Sequence, residues 1–70
     1  MESMERIREH LPEGFVVFEE FDDGLRYIEV ALIPDEPNQK WWSVRRHIDD
    51  DDMVYPFALM AVLEIRKKCT

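Results

Sequence analysis

The segment FVVFEEFDDGLRYIEVALIP, residues 15–34, constrains the fold of this chain more than any other part. Phenylalanine, valine, isoleucine and tyrosine are frequent in the segment, and these residue types favour β-strands. Asp22-Asp23-Gly24 separates its two halves, and Asp-Gly is a strong signal for a hairpin turn. The segment therefore predicts two antiparallel strands joined by a tight turn. Because both side-chain sets of the second strand are largely apolar, both faces of the sheet are predicted to be covered over part of their area.

Helix and strand patterns flank the hairpin. Apolar residues at the spacing of one helical stripe predict a first helix over about residues 3–11. The segment WWSVRRHI, residues 41–48, follows a loop with two prolines and predicts a third strand. A second helix is predicted over about residues 52–68. The predicted fold class is α+β: a small single domain over residues 1–70, in the order α-β-β-β-α, with a three-stranded antiparallel sheet and two helices.

A chain of 70 residues has too little interior to depend on its own core. A domain of this size buries only about 60% of its unfolded surface, and natural proteins this small usually need disulfides, a metal or a partner chain. Cys69 is the only cysteine, which excludes a disulfide within one chain. One cysteine and two histidines cannot form a tetrahedral metal set. No metal site or cofactor is therefore expected, and a partner chain is the expected source of additional stability.

The predicted second helix has a wider apolar surface than one small sheet can cover. At 100° per residue its apolar side chains span an arc of about 200°, whereas a surface helix needs only about 100°. Phe57 and Met60 fall outside this arc. A second copy of the chain is the simplest cover, since cyclic dimers are the commonest closed assembly. We therefore expect a homodimer with Phe57, Leu59, Met60 and Leu63 in its interface.

The run Asp49, Asp50, Asp51 and Asp52 is the densest negative charge in the sequence and precedes the second helix. A helix N-terminus carries unsatisfied N–H groups and a partial positive charge, so one or two aspartates can cap it. Four aspartates exceed that requirement. The surplus fits either a solvated charge run or an acidic surface for protein recognition. A divalent cation site is a further alternative, although the run lacks the alternating ligands and turn glycine of an EF-hand loop.

Other acidic stretches would enlarge such a surface if the fold brings them together. They are EEFDD at residues 19–23 and the pair at residues 35–36. Spaced carboxylates can imitate the phosphates of DNA and occupy a basic groove of another protein. The expected partner is therefore a protein with a basic surface, of the kind that handles nucleic acids, which this chain would inhibit or regulate. Together with the aspartate run, the residues expected to carry the electrostatics are Glu19, Glu20, Asp22 and Asp23.

The adjacent residues Trp41 and Trp42 point to opposite faces of the predicted third strand. Trp42 shares its face with Val44 and Ile48, which predicts that it belongs to the core. Trp41 is then a candidate apolar anchor for the protein partner, because tryptophan is enriched at binding hot spots. The alternatives are that Trp41 packs on the proline-containing loop or is buried in the homodimer.

Catalysis and membrane insertion have little support from the sequence. His10, His47 and Cys69 are the only reactive side chains besides the acids, and no nucleophile with an oriented base is recognisable, so the chain is expected to be non-catalytic. The N-terminus lacks the apolar core of a signal peptide. The longest apolar run, residues 53–63, is about half of what a bilayer span requires. A cytoplasmic location without membrane contact is therefore expected.

Nucleic acid binding is disfavoured by the net charge of −7, which repels phosphates. The predicted order of elements is that of double-stranded-RNA-binding domains, in order only. Those domains carry basic residues at the start of the final helix, where this chain has four aspartates. Single-strand binding through Trp41, Arg45 and Arg46 is one alternative function. The other is an assembly subunit that associates through its apolar C-terminal helix.

Overall fold

The computed structural model describes residues 4–69 and contains the predicted elements in the predicted order. They are helix α1 (Met4–His10), strands β1 (Phe15–Asp22), β2 (Leu25–Leu32) and β3 (Trp42–His47), a 3₁₀ helix (Asp51–Met53) and helix α2 (Val54–Cys69). The strands pair antiparallel in the order β1-β2-β3. The predicted α+β fold class, with one sheet and two helices, is confirmed. Ser3, within the predicted first helix, lies outside the described residues.

The turn between β1 and β2 fixes the register of the sheet. Asp22 pairs with Leu25, so the loop consists of Asp23 and Gly24. Their φ angles are 57° and 79°. A two-residue hairpin turn with both φ angles positive strongly favours Asp-Gly or Asn-Gly, because few other residues adopt this conformation at low cost. The predicted hairpin turn is confirmed, and it sets which side chains of β1 and β2 lie opposite each other.

Both helices pack against the same face of the sheet, which we call the covered face. The side chains of Ile7 from α1, Val17 from β1, Ile28 and Val30 from β2, and Ile65 from α2 are buried there in one core. No helix of residues 4–69 packs on the opposite face, which we call the open face. On the open face of β2 only the side chain of Ala31 is buried, so the predicted partial cover of this face is limited to that position.

Helix α2 is rotated relative to the orientation predicted from its apolar arc. The residues Val54, Ala58, Ala61, Val62 and Ile65 are buried, whereas Leu59 and Leu63, which are expected in the dimer interface, are exposed. Phe57 is only 5% exposed and belongs to the core.

This rotation corrects the prediction for Phe57. Because α2 packs across β2 and β3, Phe57 turns towards the sheet, and the Arg46 guanidinium lies 5.4 Å from the centre of its ring. Phe57 therefore stabilises its own chain and is not available on the outer side of α2 for a dimer interface. Leu59, Met60 and Leu63 remain exposed on that outer side.

Candidate protein-binding surface

Two of the three acidic stretches meet at one end of the sheet. The β1–β2 turn lies at this end, and β3 runs towards it, since Trp42 pairs with Leu32 and His47 pairs with Tyr27. The third stretch, residues 35–36, is in the β2–β3 loop at the opposite end. We call the meeting point the acidic end. It consists of Glu19, Glu20, Asp22, Asp23, Asp49, Asp50, Asp51 and Asp52.

The acidic end keeps a strong negative charge after its neighbouring cations are counted. Its eight carboxylates are accompanied by three arginines, Arg26, Arg45 and Arg46, which gives a formal charge of −5 with His47 neutral. The whole chain carries −7. Most of the net charge of the protein is therefore concentrated at one end of the sheet, where it produces a directional negative field.

Arg26 joins the two acidic stretches from the covered face of β2. Its Nη1 donates a hydrogen bond to Asp51 Oδ1, and its Nε lies 2.9 Å from Glu19 Oε2. The Nε contact is an ion pair without hydrogen-bond alignment, since this buried nitrogen has no hydrogen-bond partner in the described part of the chain. The Arg26 side chain is 19% exposed, whereas both carboxylates are more than one-third exposed. One arginine thus fixes the aspartate run against β1.

Replacing Arg26 by glutamine is expected to lower the free energy of unfolding by about 1–2 kcal/mol. The change removes the cation between two carboxylates, and their exposure keeps the cost below that of a fully buried pair. Urea denaturation of Arg26→Gln measures the effect. In an Asp51→Asn background the same replacement should cost less, because one of the two ion pairs is already absent. An equal loss of unfolding free energy in both backgrounds would show that Arg26 does not stabilise the protein through Asp51.

Arg45 forms ion pairs with acidic side chains on the open face of the sheet. Its Nε donates a hydrogen bond to Glu20 Oε2 over 3.2 Å, and its Nη2 lies 3.8 Å from Asp22 Oδ2. Its guanidinium also stacks 3.9 Å from the ring centre of Tyr27. Arg45 is therefore engaged by acidic and aromatic side chains of its own chain.

The aspartate run divides into different local roles. Asp50 caps the 3₁₀ helix, since its Oδ1 accepts a hydrogen bond of 2.9 Å from the backbone N–H of Asp52. Asp51 binds Arg26. Asp49 Oδ2 lies 3.1 Å from His47 Nε2, just beyond the end of β3. One aspartate supplies a cap, but the capped element is the 3₁₀ helix rather than α2, which begins at Val54, later than predicted. The other three aspartates contribute charge to the acidic end.

A pair of glutamates on the open face was not identified from the sequence. Glu29 hydrogen-bonds to Glu20, and this bond raises the pKa of Glu29 above its usual value, with partial burial acting in the same direction. The bond lowers the pKa of Glu20, and Arg45 also lowers it. The pKa values of the two carboxyl groups therefore shift in opposite directions, upwards for Glu29 and downwards for Glu20. The sequence contained the information needed to find this pair. The two-residue turn places Glu20 opposite Tyr27, and Glu29 lies two residues further along the same face of β2, as a diagonal neighbour of Glu20.

Replacing Glu29 by glutamine is expected to stabilise the folded protein at pH 7. The raised pKa of Glu29 means that its stabilising contribution is complete below the pKa of an unfolded glutamate and is lost as the pH rises through the folded value. Glutamine keeps a donor for Glu20 at every pH. The gain in unfolding free energy should therefore be small at acidic pH and should grow towards neutrality.

Denaturation of Glu29→Gln across this pH range measures the effect. Glu36→Gln removes one negative charge from the exposed β2–β3 loop and serves as the control, which should lack this pH dependence. A stability difference that is independent of pH would argue against a raised pKa of Glu29.

Trp41 and the acidic end lie at opposite ends of the sheet. Trp41 is 55% exposed and immediately precedes β3, whose six residues span about 20 Å. Trp42 is half-buried and packs against the core, as predicted. The structure therefore does not bring Trp41 together with the acids that it was expected to anchor.

The residues of the proposed single-strand site are also separated. Arg45 lies on the open face, whereas Arg46 lies on the covered face beside Phe57. Strand alternation places Trp41 on the open face with Arg45, but four residues away along the chain. Arg45 is further neutralised by Glu20 and Asp22. The geometry gives no support to a continuous cationic and aromatic surface.

Residues 4–69 contain neither a metal-binding cluster nor a membrane-spanning helix. No group of three or more histidine, cysteine or acidic side chains there could hold a metal ion. Neither helix in this part of the chain has the length and apolar character needed to cross a membrane. No protein-family model, curated protein or solved structure matches the chain. Its function is therefore inferred from its surface.

Proposed function

We propose that this chain is a small non-catalytic protein-binding module whose acidic end binds a basic surface of another protein. The observation that carries the proposal is the meeting of residues 19–23 and 49–52, which are distant in sequence, at one end of the sheet. Together they form one negative surface rather than two scattered charge runs. A concentrated field of this kind accelerates association with a basic partner and disfavours acidic ones.

The rigid attachment of these acids favours binding further. Glu19, Glu20 and Asp22 lie on a paired strand, Asp50 caps the segment that leads into α2, and Arg26 bonds to both stretches. Acids held in this way lose little conformational freedom when a partner binds. Ordered carboxylates can replace the phosphates of a nucleic acid on a basic protein surface. The proposed partner is therefore a nucleic-acid-handling protein in the cytoplasm, which the chain inhibits or regulates.

The test is an affinity pull-down at low and high salt, followed by measurement of Kd for the partner recovered. Asp23→Asn with Asp52→Asn removes two exposed charges from the acidic end, and asparagine suits the hairpin turn. Asp35→Asn with Glu36→Gln removes the same charge from the opposite end and is the matched control. We expect the first variant to bind the partner at least about tenfold more weakly and the control to bind normally. Binding that resists high salt, or equal effects of the two variants, would refute the proposal.

A homodimer is a second candidate and rests on a separate observation. Leu59, Met60 and Leu63 are exposed on the outer side of α2, and a second copy of the chain could cover them. Light scattering at micromolar concentration should then give twice the mass of one 8.5 kDa chain, and Leu63→Gln should restore the monomer. A wild-type mass of one chain would remove this candidate without affecting the acidic surface.

A further inference from the structure

An apolar groove lies directly beside the acidic end. It runs between the C-terminal end of β3 and the first turns of α2, and its volume is about 370 Å³. Its apolar lining consists of Ile48, Met53, Pro56, Phe57 and Met60. We call it the methionine groove.

The methionine groove is lined by buried side chains at its base and by exposed, flexible side chains at its sides. Ile48 and Phe57 are buried and form the floor, whereas Met53 and Met60 are 54% and 53% exposed. Methionine is flexible and polarisable, so it adapts its shape to an incoming apolar side chain. A volume of this size lies at the small end of the range for binding pockets, which suits a few side chains rather than a large ligand.

Charge identifies the occupant of the groove. Asp49 and Asp50 line it together with Arg46 and His47, and the acidic end with its formal charge of −5 adjoins it. A second copy of this chain seated in the groove would bring two acidic ends together. A partner segment with cations on either side of its apolar residues would instead meet the acids while its apolar side chains fill the groove.

We propose that the methionine groove and the acidic end together bind a cationic amphipathic helix of the partner protein. A helix presents apolar residues at i, i+3 and i+4 on one side, with basic residues flanking the same stripe. An extended strand would point alternate side chains away from the groove. This inference rests on the proposed function, since it specifies the part of the basic partner that the acidic end would meet.

The first experiment is NMR of the protein labelled at its methionine methyl groups. The probe is a synthetic helical peptide of leucine and lysine with all leucines on one stripe. We expect the peptide to shift the Met53 and Met60 signals and to leave unchanged the signal of Met4, which lies in α1 and packs against the core. A second peptide of equal charge, with serine in place of leucine, should bind weakly. No shift at Met53 and Met60 would overturn the inference.

A matched pair of variants tests the groove by Kd for the same peptide. Met60→Gln should weaken binding by about tenfold, because the methionine is buried by the bound leucines. Ile33→Gln replaces an apolar side chain that is also exposed but does not line the groove, so the affinity of this variant should be nearly unchanged. Circular dichroism should show both variants folded, since both positions are exposed.

The outcomes separate the groove from the acidic surface. If both peptides bind equally and Met60→Gln has no effect, the groove inference is wrong and the acidic surface stands. If the leucine peptide binds in the groove without sensitivity to salt or to Asp23→Asn with Asp52→Asn, the acidic surface is wrong. A dimer that Met60→Gln converts to a monomer would identify a second copy as the occupant and overturn the inference.

Discussion

Replacing Phe57 by alanine is expected to lower the free energy of unfolding by about 3–5 kcal/mol. Phe57 is 5% exposed and packs in the core between α2 and the sheet, beside Ile48 and under the Arg46 guanidinium. Removing its ring takes away buried apolar surface and leaves a cavity that the surrounding side chains fill only in part. Denaturation in urea at one protein concentration measures the loss.

The control for Phe57→Ala is Met60→Ala on the same helix. Met60 is exposed, so its truncation should change the stability by less than about 0.5 kcal/mol. The contrast also tests whether Phe57 belongs to the core of its own chain. If Phe57 served an intermolecular contact instead of its own core, the loss would depend on protein concentration. A small, concentration-dependent effect of Phe57→Ala would show that the helix is oriented differently.

Replacing Ile28 by alanine is the second large expected effect, a loss of about 2–5 kcal/mol. Ile28 is fully buried in β2, the central strand, and its side chain lies in the core with residues of both helices. A chain of 70 residues has a total stability of roughly 3.5–10 kcal/mol at 0.05–0.15 kcal/mol per residue. The variant is therefore expected to be partly or fully unfolded at 37 °C.

Ile33→Ala provides a chemically identical control for Ile28→Ala. Ile33 follows β2 directly and is 44% exposed on the open face, so its truncation creates no cavity. Its effect should be much smaller than that of Ile28→Ala. Thermal unfolding followed by circular dichroism compares the two variants. Similar losses at both sites would mean that the open face is buried, for example by a second copy of the chain.

The narrow stability margin bears on the proposed binding function. Any partner that binds only the folded chain raises its apparent stability, by about 2.7 kcal/mol at a concentration of 100 times Kd. Such a gain is large relative to the total expected for this chain. Protection of Ile28→Ala by the leucine–lysine peptide is therefore a sensitive sign that the peptide binds the folded state.

Local sequence determined the elements of this protein. Asp23-Gly24 specified a tight turn, because this dipeptide adopts two positive φ angles at low cost. Residue types that favour β-structure specified the strands, and the aspartate run supplied a cap at Asp50 for the 3₁₀ helix that precedes α2. These features depend on interactions between residues close together in the chain. The register that follows from the turn even contained the Glu20–Glu29 pair, although this pair was not identified from the sequence.

Only the tertiary structure decided which surfaces these elements form. The sequence left open whether the two acidic stretches converge, and it grouped Trp41 with them although the length of β3 separates the two. It also misplaced Phe57, because an apolar arc wider than the contact with the sheet does not specify the rotation of a helix. Strand pairing and helix packing join residues far apart in sequence, so their outcome depends on the whole chain. The sequence alone therefore specified the helices, strands and turn, whereas strand pairing created the acidic end and the packing of α2 on the sheet created the methionine groove.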